Sequence, residues 1–140
     1  MRVSRNIVAI VERIRILKIQ EKEIVVIDYS NLNEAAMIQL AIQAKVEIMK
    51  TPAPKLIISS FVNTFATPAF LRHMERESVE IKPFIARNAL VGLNKPKMMI
   101  LKGFNLLLDT DFRAFSTECE AIEYLIEEPV IEKLEPIFKR

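Results

Sequence analysis

The sequence predicts an α/β fold: a single domain with a mainly parallel sheet of four or five strands and helices packed on it. Three observations carry this. Short apolar runs alternate with longer stretches of helical periodicity, the order that yields parallel strands joined by crossover helices. Proline-bearing breaks at Thr51–Pro54 and Lys82-Pro83 separate the periods. The 140 residues, 51% hydrophobic and 27% charged, suit one core, and no repeat, low-complexity segment or linker divides them.

Residues 3–12 (VSRNIVAIVE) are too few for periodicity to separate helix from strand. Residues 13–19 (RIRILKI) alternate, Ile14 and Ile16 opposite Arg13 and Arg15, as a strand with one wet face does. Gln20–Lys22 is polar and short enough for a hairpin turn, without the Asn-Gly signal. Residues 23–28 (EIVVID) form a continuous apolar run, the mark of a strand covered on both faces. Tyr29–Asn33 then leads to a helix over 33–49, capped by Asn31 or Asn33, with Glu34 well placed against its positive end. Gln39, Gln43, Glu47 and Lys50 make one polar stripe on it, and Ile38, Leu40, Ala41, Ile42, Val46 and Met49 fill much of the rest.

The stretch Lys55–Met74 is the centre of the pattern. Leu56–Ser59 reads as a central strand, a polar loop with Ser60, Asn63 and Thr64 follows, and Thr67-Pro68 opens a helix over 68–80. Threonine is a good N-cap, and proline at the first helical position gives up no needed N–H. Phe70, Leu71, Met74 and Ile81 are directed to the core, and Arg72, His73, Glu75, Arg76 and Glu77 to water. Residues 84–92 (FIARNALVG) form a strand interrupted at Arg87 and Asn88, and Gly92 permits a turn. Residues 95–108 (KPKMMILKGFNLLL) are a helix apolar nearly all round. A short strand over 112–115 and a helix over 117–127, capped by Ser116 or Thr117, close the pattern, with Ala121, Ile122, Leu125 and Ile126 inward. The tail after Pro129 has the makings of a short terminal helix.

Composition removes several functions. A net charge of +2 argues against nucleic acid as the main partner, since phosphate contacts call for a marked basic surplus. No run approaches the roughly 20 apolar residues of a membrane span, and no signal peptide is visible, so a cytoplasmic protein is the expectation. One cysteine, Cys119, permits no internal disulfide, and Glu118 and Glu120 oppose its thiolate. One histidine and one cysteine put a zinc site of the usual kind out of reach. Two glycines cannot build a phosphate-cradling loop. No catalytic residues, no metal and no cofactor are expected.

Binding residues are easier to nominate. Asp28, with Ser30 beside it, ends a strand where α/β proteins place ligands, although an aspartate there also serves its own turn. Asn63, Thr64 and Thr67 precede a helix N-terminus, which favours an anion, although Thr67 as a plain cap suffices without one.

The segments VVIDYSNLNE, KLIISSF, NALVGLNKPKMMILKGFN and FSTECEAIEYL, in this order, resemble the STAS superfamily, and more narrowly its SpoIIAA-like branch. The resemblance rests on the Asp28-Tyr29-Ser30 step, the Ala89–Leu93 strand before an apolar helix, and the Phe115–Ala121 helix cap. It covers about residues 14–127, leaving 1–12 and 128–140 as terminal extensions of a single STAS-like domain. It implies a compact α/β domain. Its best understood members are anti-sigma-factor antagonists, switched by phosphorylation of a Ser or Thr where Thr67 stands. Their aspartate-serine-glycine switch motif is reproduced neither by Ser59-Ser60-Phe61 nor by Ala66-Thr67-Pro68. Other relatives of this fold bind lipids or nucleotides.

Two functional expectations follow. The first is a non-enzymatic regulatory or protein-interaction module, a homodimer or a member of a regulatory pair, whose contact surface includes Met98, Met99 and Phe104 and the loop before Thr67. The second is a carrier or sensor of a small apolar or anionic ligand, with a pocket between the Asp28–Asn31 turn and the Asn63–Thr67 loop.

Overall fold

The structure, a computed structural model, describes residues 12–94, 98, 101, 102, 105 and 111–127. Five strands form one sheet in the order of the chain: β1 (Ile14–Ile19), β2 (Lys22–Asp28), β3 (Lys55–Ser60), β4 (Ile85–Val91) and β5 (Arg113–Phe115). β1 and β2 are an antiparallel hairpin, and the pairs β2–β3, β3–β4 and β4–β5 are parallel. The expected mainly parallel α/β sheet is therefore present, with five strands.

The hairpin turn is as short as a hairpin allows. Gln20 and Glu21 both take positive φ, 52° and 66°, the geometry that a two-residue turn between twisted strands demands. Helix α1 (Glu34–Ile48) is capped by the Asn33 side chain, which accepts from Ala36 N. Helix α2 (Pro68–Ile81) begins at Thr67 with proline in its first turn, as its sequence dictates. A 3-10 turn over Lys82–Phe84 leads into β4, and α3 (Glu118–Ile126) follows β5 behind a Thr117 cap. Between β4 and β5, Met98, Leu101, Lys102 and Asn105 are helical.

Strand alternation divides the core in two. Val25, Ile27 and Ile57 face α1 and α2, together with Met37, Leu40, Phe70 and Ile81. Ile24, Val26, Ile58, Ala89 and Val91 face α3, which contributes Ala121 and Leu125. The central strands are covered on both sides, which explains the unbroken apolar run of β2. Ile24, Ile57 and Ile58 are at most 1% exposed. Each such side chain contributes about 1.5–3 kcal/mol.

Three sequence expectations change. The irregularity in β4 is a bulge at Ala86, since Lys55 pairs with Ile85 and Leu56 with Arg87. The extra residue reverses the alternation, so Ile85 packs on the α1/α2 face while Arg87 keeps the α3 face with Ala89. On α1, Ile42 and Val46 are exposed, because its buried face runs through Met37, Leu40, Ala41, Ala44 and Ile48. On α2, His73 is half-buried rather than in water, and lies with Lys45 and Glu77 where α1 and α2 meet.

Candidate functional site

The parallel strands β2, β3 and β4 end on one rim, and their loops are joined by main-chain bonds. Tyr29 N donates to Ser60 O (2.9 Å), Phe61 N to Val91 O (2.8 Å) and Asn31 N to Val62 O (3.2 Å). The buried Thr64 hydroxyl bonds Tyr29 O (2.7 Å) and Val62 O (3.2 Å). Asn31 and Asn63 take the left-handed conformation that such turns require and asparagine tolerates. The Arg13 guanidinium donates to Asp28 O (3.0 Å) and Ser30 O (2.7 Å), fixing the first of these turns.

The residues nominated from the sequence gather on this rim. The Asp28 carboxylate accepts from Ser30 N (2.9 Å) within its own turn. Thr64 ties the two loops together, and Asn63 is exposed. The Thr67 hydroxyl accepts from Phe70 N (3.4 Å) as the cap of α2. The turn and the loop thus touch each other. Of the interaction candidates, Met98 is half-buried, and Met99 and Phe104 lie outside the described residues.

Beneath the rim, on the α2 side of the sheet, is an apolar cavity of about 90 Å³. Phe61 and Ala66 form its roof, Phe70, Leu71 and Met74 of α2 one wall, and Leu90, Leu93 and Leu101 the other. Three aromatic rings, two from loops at strand ends and one from α2, frame it. Tyr29 stacks flat on Phe61, with centroids 4.9 Å apart and planes 4° from parallel. Phe70 meets both edge-on, at 5.5 and 6.1 Å. Such arrangements add about 0.5–1.5 kcal/mol per pair to the burial itself.

Three polar side chains enter this apolar shell: Tyr29, Ser59 and Asn88. Ser59 is 6% exposed and Tyr29 2%. Burial pushes the Tyr29 phenol well above its ordinary pKa, so it stays neutral. Asn88 Oδ1 is buried and, among the described residues, is the one buried side-chain polar atom without a hydrogen-bond partner. Leaving such an acceptor unsatisfied costs about 1–3 kcal/mol.

Two further cavities touch the same asparagine. One, of about 50 Å³, lies between α1 and α2 and includes Lys45, His73 and Glu77. The other, of about 370 Å³, lies beside the outer edge of β4, between the end of α2 and Tyr124. Phe112 stands between this one and the apolar cavity. Asn105 fixes Phe112 by a reciprocal amide pair with its main chain, at 2.9 and 3.0 Å.

Tyr29, Phe61 and Asn88 are not among the site residues the sequence nominates, although Tyr29 belongs to the Asp28-Tyr29-Ser30 step and Asn88 interrupts its strand. Asn88 carries the one usable signal, a polar side chain inside an otherwise apolar strand end. Among the described residues no group of three His, Cys, Asp or Glu side chains is placed to hold a metal ion. No helix among them is long and apolar enough to cross a membrane.

No family model matches the sequence, and no curated protein matches it. The fold does have a solved counterpart. The chain is similar to the crystal structure of an uncharacterized protein of the DUF3478 family from Shewanella loihica PV-4, described as having a SpoIIAA-like fold. The TM-score is 0.61 at 12% identity, over 80% of this chain and 91% of that one. The chain has a SpoIIAA-like α/β fold.

Proposed function

We propose that the chain is a non-catalytic sensing module that takes a small apolar ligand, bearing one hydrogen-bond donor, into the cavity beneath the rim. The observation that carries this is the partnerless Asn88 Oδ1 in a mostly apolar shell. A ligand donor would recover the 1–3 kcal/mol or so that the unsatisfied acceptor costs. The other polar groups suit binding too. A buried serine and a phenol kept neutral can orient a ligand, and neither lies in an arrangement that activates one.

The roof of the cavity supplies a readout. Phe61 and Ala66 face the cavity, while their neighbours Val62 and Phe65 are 41% and 79% exposed on the outside of the same loop. Filling the cavity therefore bears on the outer rim. Native mass spectrometry of freshly purified protein and amide NMR titration with 1-octanol test the reading. The expected result is a co-purified small molecule, or octanol shifts at Asn88, Leu90 and Phe61. Empty mass spectra together with unmoved amides overturn it.

A second reading, a protein-interaction surface that also serves self-association, is favoured by the exposure of Val62 and Phe65 on a loop held by main-chain bonds. Light scattering on wild type and Phe65→Asp tests it. A concentration-dependent dimer lost in the variant supports it, and a wild-type monomer at millimolar concentration removes self-association.

A further inference from the structure

The cavity of about 370 Å³ exists because β5 is short. β5 pairs with Ala89, Leu90 and Val91 only, while β4 runs back to Ile85. The outer edge of Ile85–Asn88 thus opens on a notch, closed on one side by Ser78 and Lys82 and on the other by Tyr124. The notch and the apolar cavity meet at Met74, Asn88 and Phe112.

Arg87 lines this notch. Its Nη1 donates to the carbonyls of Tyr124 (2.7 Å) and Glu127 (3.1 Å) at the end of α3, and its guanidinium carbon lies 5.3 Å from the Tyr124 ring centre. These acceptors are neutral. Among the described residues no carboxylate lies within ion-pair distance of Arg87, and the guanidinium fork has donors beyond Nη1. The acid in the same notch, Asp111, is already bound at 3.1 Å by Arg113. Among the described residues the notch therefore holds a half-buried guanidinium with no carboxylate paired to it.

Resting on the ligand reading above, we propose that the occupant is an amphipathic carboxylate. Its head pairs with Arg87 in the notch, and its slim tail enters the cavity under Phe61, with a hydroxyl near the head that donates to Asn88 Oδ1 where the two spaces meet. A carboxylate matches the guanidinium fork, and the partly desolvated setting strengthens the pair. The sizes agree. The notch falls in the range of about 300–1,000 Å³ usual for small-molecule sites, whereas the inner cavity of about 90 Å³ admits only an unbranched or flat segment. An Arg87 that served only as a cap for α3 would use the same Nη1 bonds and show no preference for charge.

The test compares 3-hydroxyoctanoate with octane-1,3-diol, the same chain and hydroxyl without the charge, by NMR titration of the full-length protein. The expected result is the hydroxy acid binding about tenfold more tightly than the diol. In Arg87→Gln the two should bind alike, at the diol level, and in Arg87→Lys the preference should return in part. Equal binding of both compounds to wild type overturns the anion inference and leaves the ligand reading intact. So does a preference that survives Arg87→Gln. Failure of both compounds to move Asn88 and Leu90 overturns the two together. The wild-type comparison needs no variant to fold.

Discussion

Gly92 presses on Val62. At its φ of +86°, a Cβ on Gly92 would lie 2.7 Å from Val62 Cγ2 and 2.8 Å from Val62 N. Neither a side chain at that φ nor the Val62 main chain yields cheaply. Gly92→Ala should therefore lower stability by about 2 kcal/mol and disturb the neighbouring rim bonds. Urea unfolding measures the first effect, and amide shifts at Phe61 and Asn31 the second.

Asn88→Leu keeps the number and branching of the side-chain heavy atoms and removes the partnerless acceptor. It should stabilise the ligand-free protein by about 1–2 kcal/mol while weakening octanol binding. Thermal unfolding and NMR titration on one sample check both signs. A site kept for binding is expected to trade stability in this way.

Thr64→Val should cost about 1–3 kcal/mol, because the carbonyls of Tyr29 and Val62 lose a buried donor. Thr64→Ser keeps the hydroxyl and should recover most of it. Hydrogen exchange at Asn31 reports whether the two loops then separate.

Lys45 on α1 reaches Glu77 and Glu80 on α2. The hydrogen bond from Lys45 holds the Glu77 carboxyl below its ordinary pKa, and the bonds to Glu77 and then Glu80 hold Lys45 above its own. The Glu77 contribution is present above the unfolded carboxylate pKa of about 4.3 and is lost as pH falls through the lower folded value. The Lys45 contribution is present below about 10.4 and is lost as pH rises through the higher folded value. Glu77→Gln should lower the unfolding midpoint at pH 7, and the gap from wild type should narrow on acidification below about pH 4. Urea midpoints from pH 3 to 7 measure it.

The legible parts of this fold were those set by neighbours in sequence. Thr67-Pro68 and the Ser116-Thr117 pair announce their helices, and the run Ile24–Ile27 announces a strand covered twice. A bulge is not written in alternation, so the polar pair Arg87-Asn88 read as a break when the extra residue was Ala86. His73 looked like a surface residue because its neighbours Lys45 and Ile48 come from another helix. The candidate site was legible only at its rim. Its polar lining joins Tyr29, Ser59 and Asn88, which no spacing rule connects.

The flat stack of Tyr29 on Phe61 also makes the molecule its own optical probe. The chain has no tryptophan and only two tyrosines, and the other, Tyr124, lies across the sheet between two guanidinium groups. Near-ultraviolet circular dichroism should therefore contain two separable tyrosine contributions, one from each face. A ligand confined beneath Phe61 would alter the first and leave Tyr124 unchanged, whereas an occupant that spans the cavity and the notch beside Arg87 would register in both.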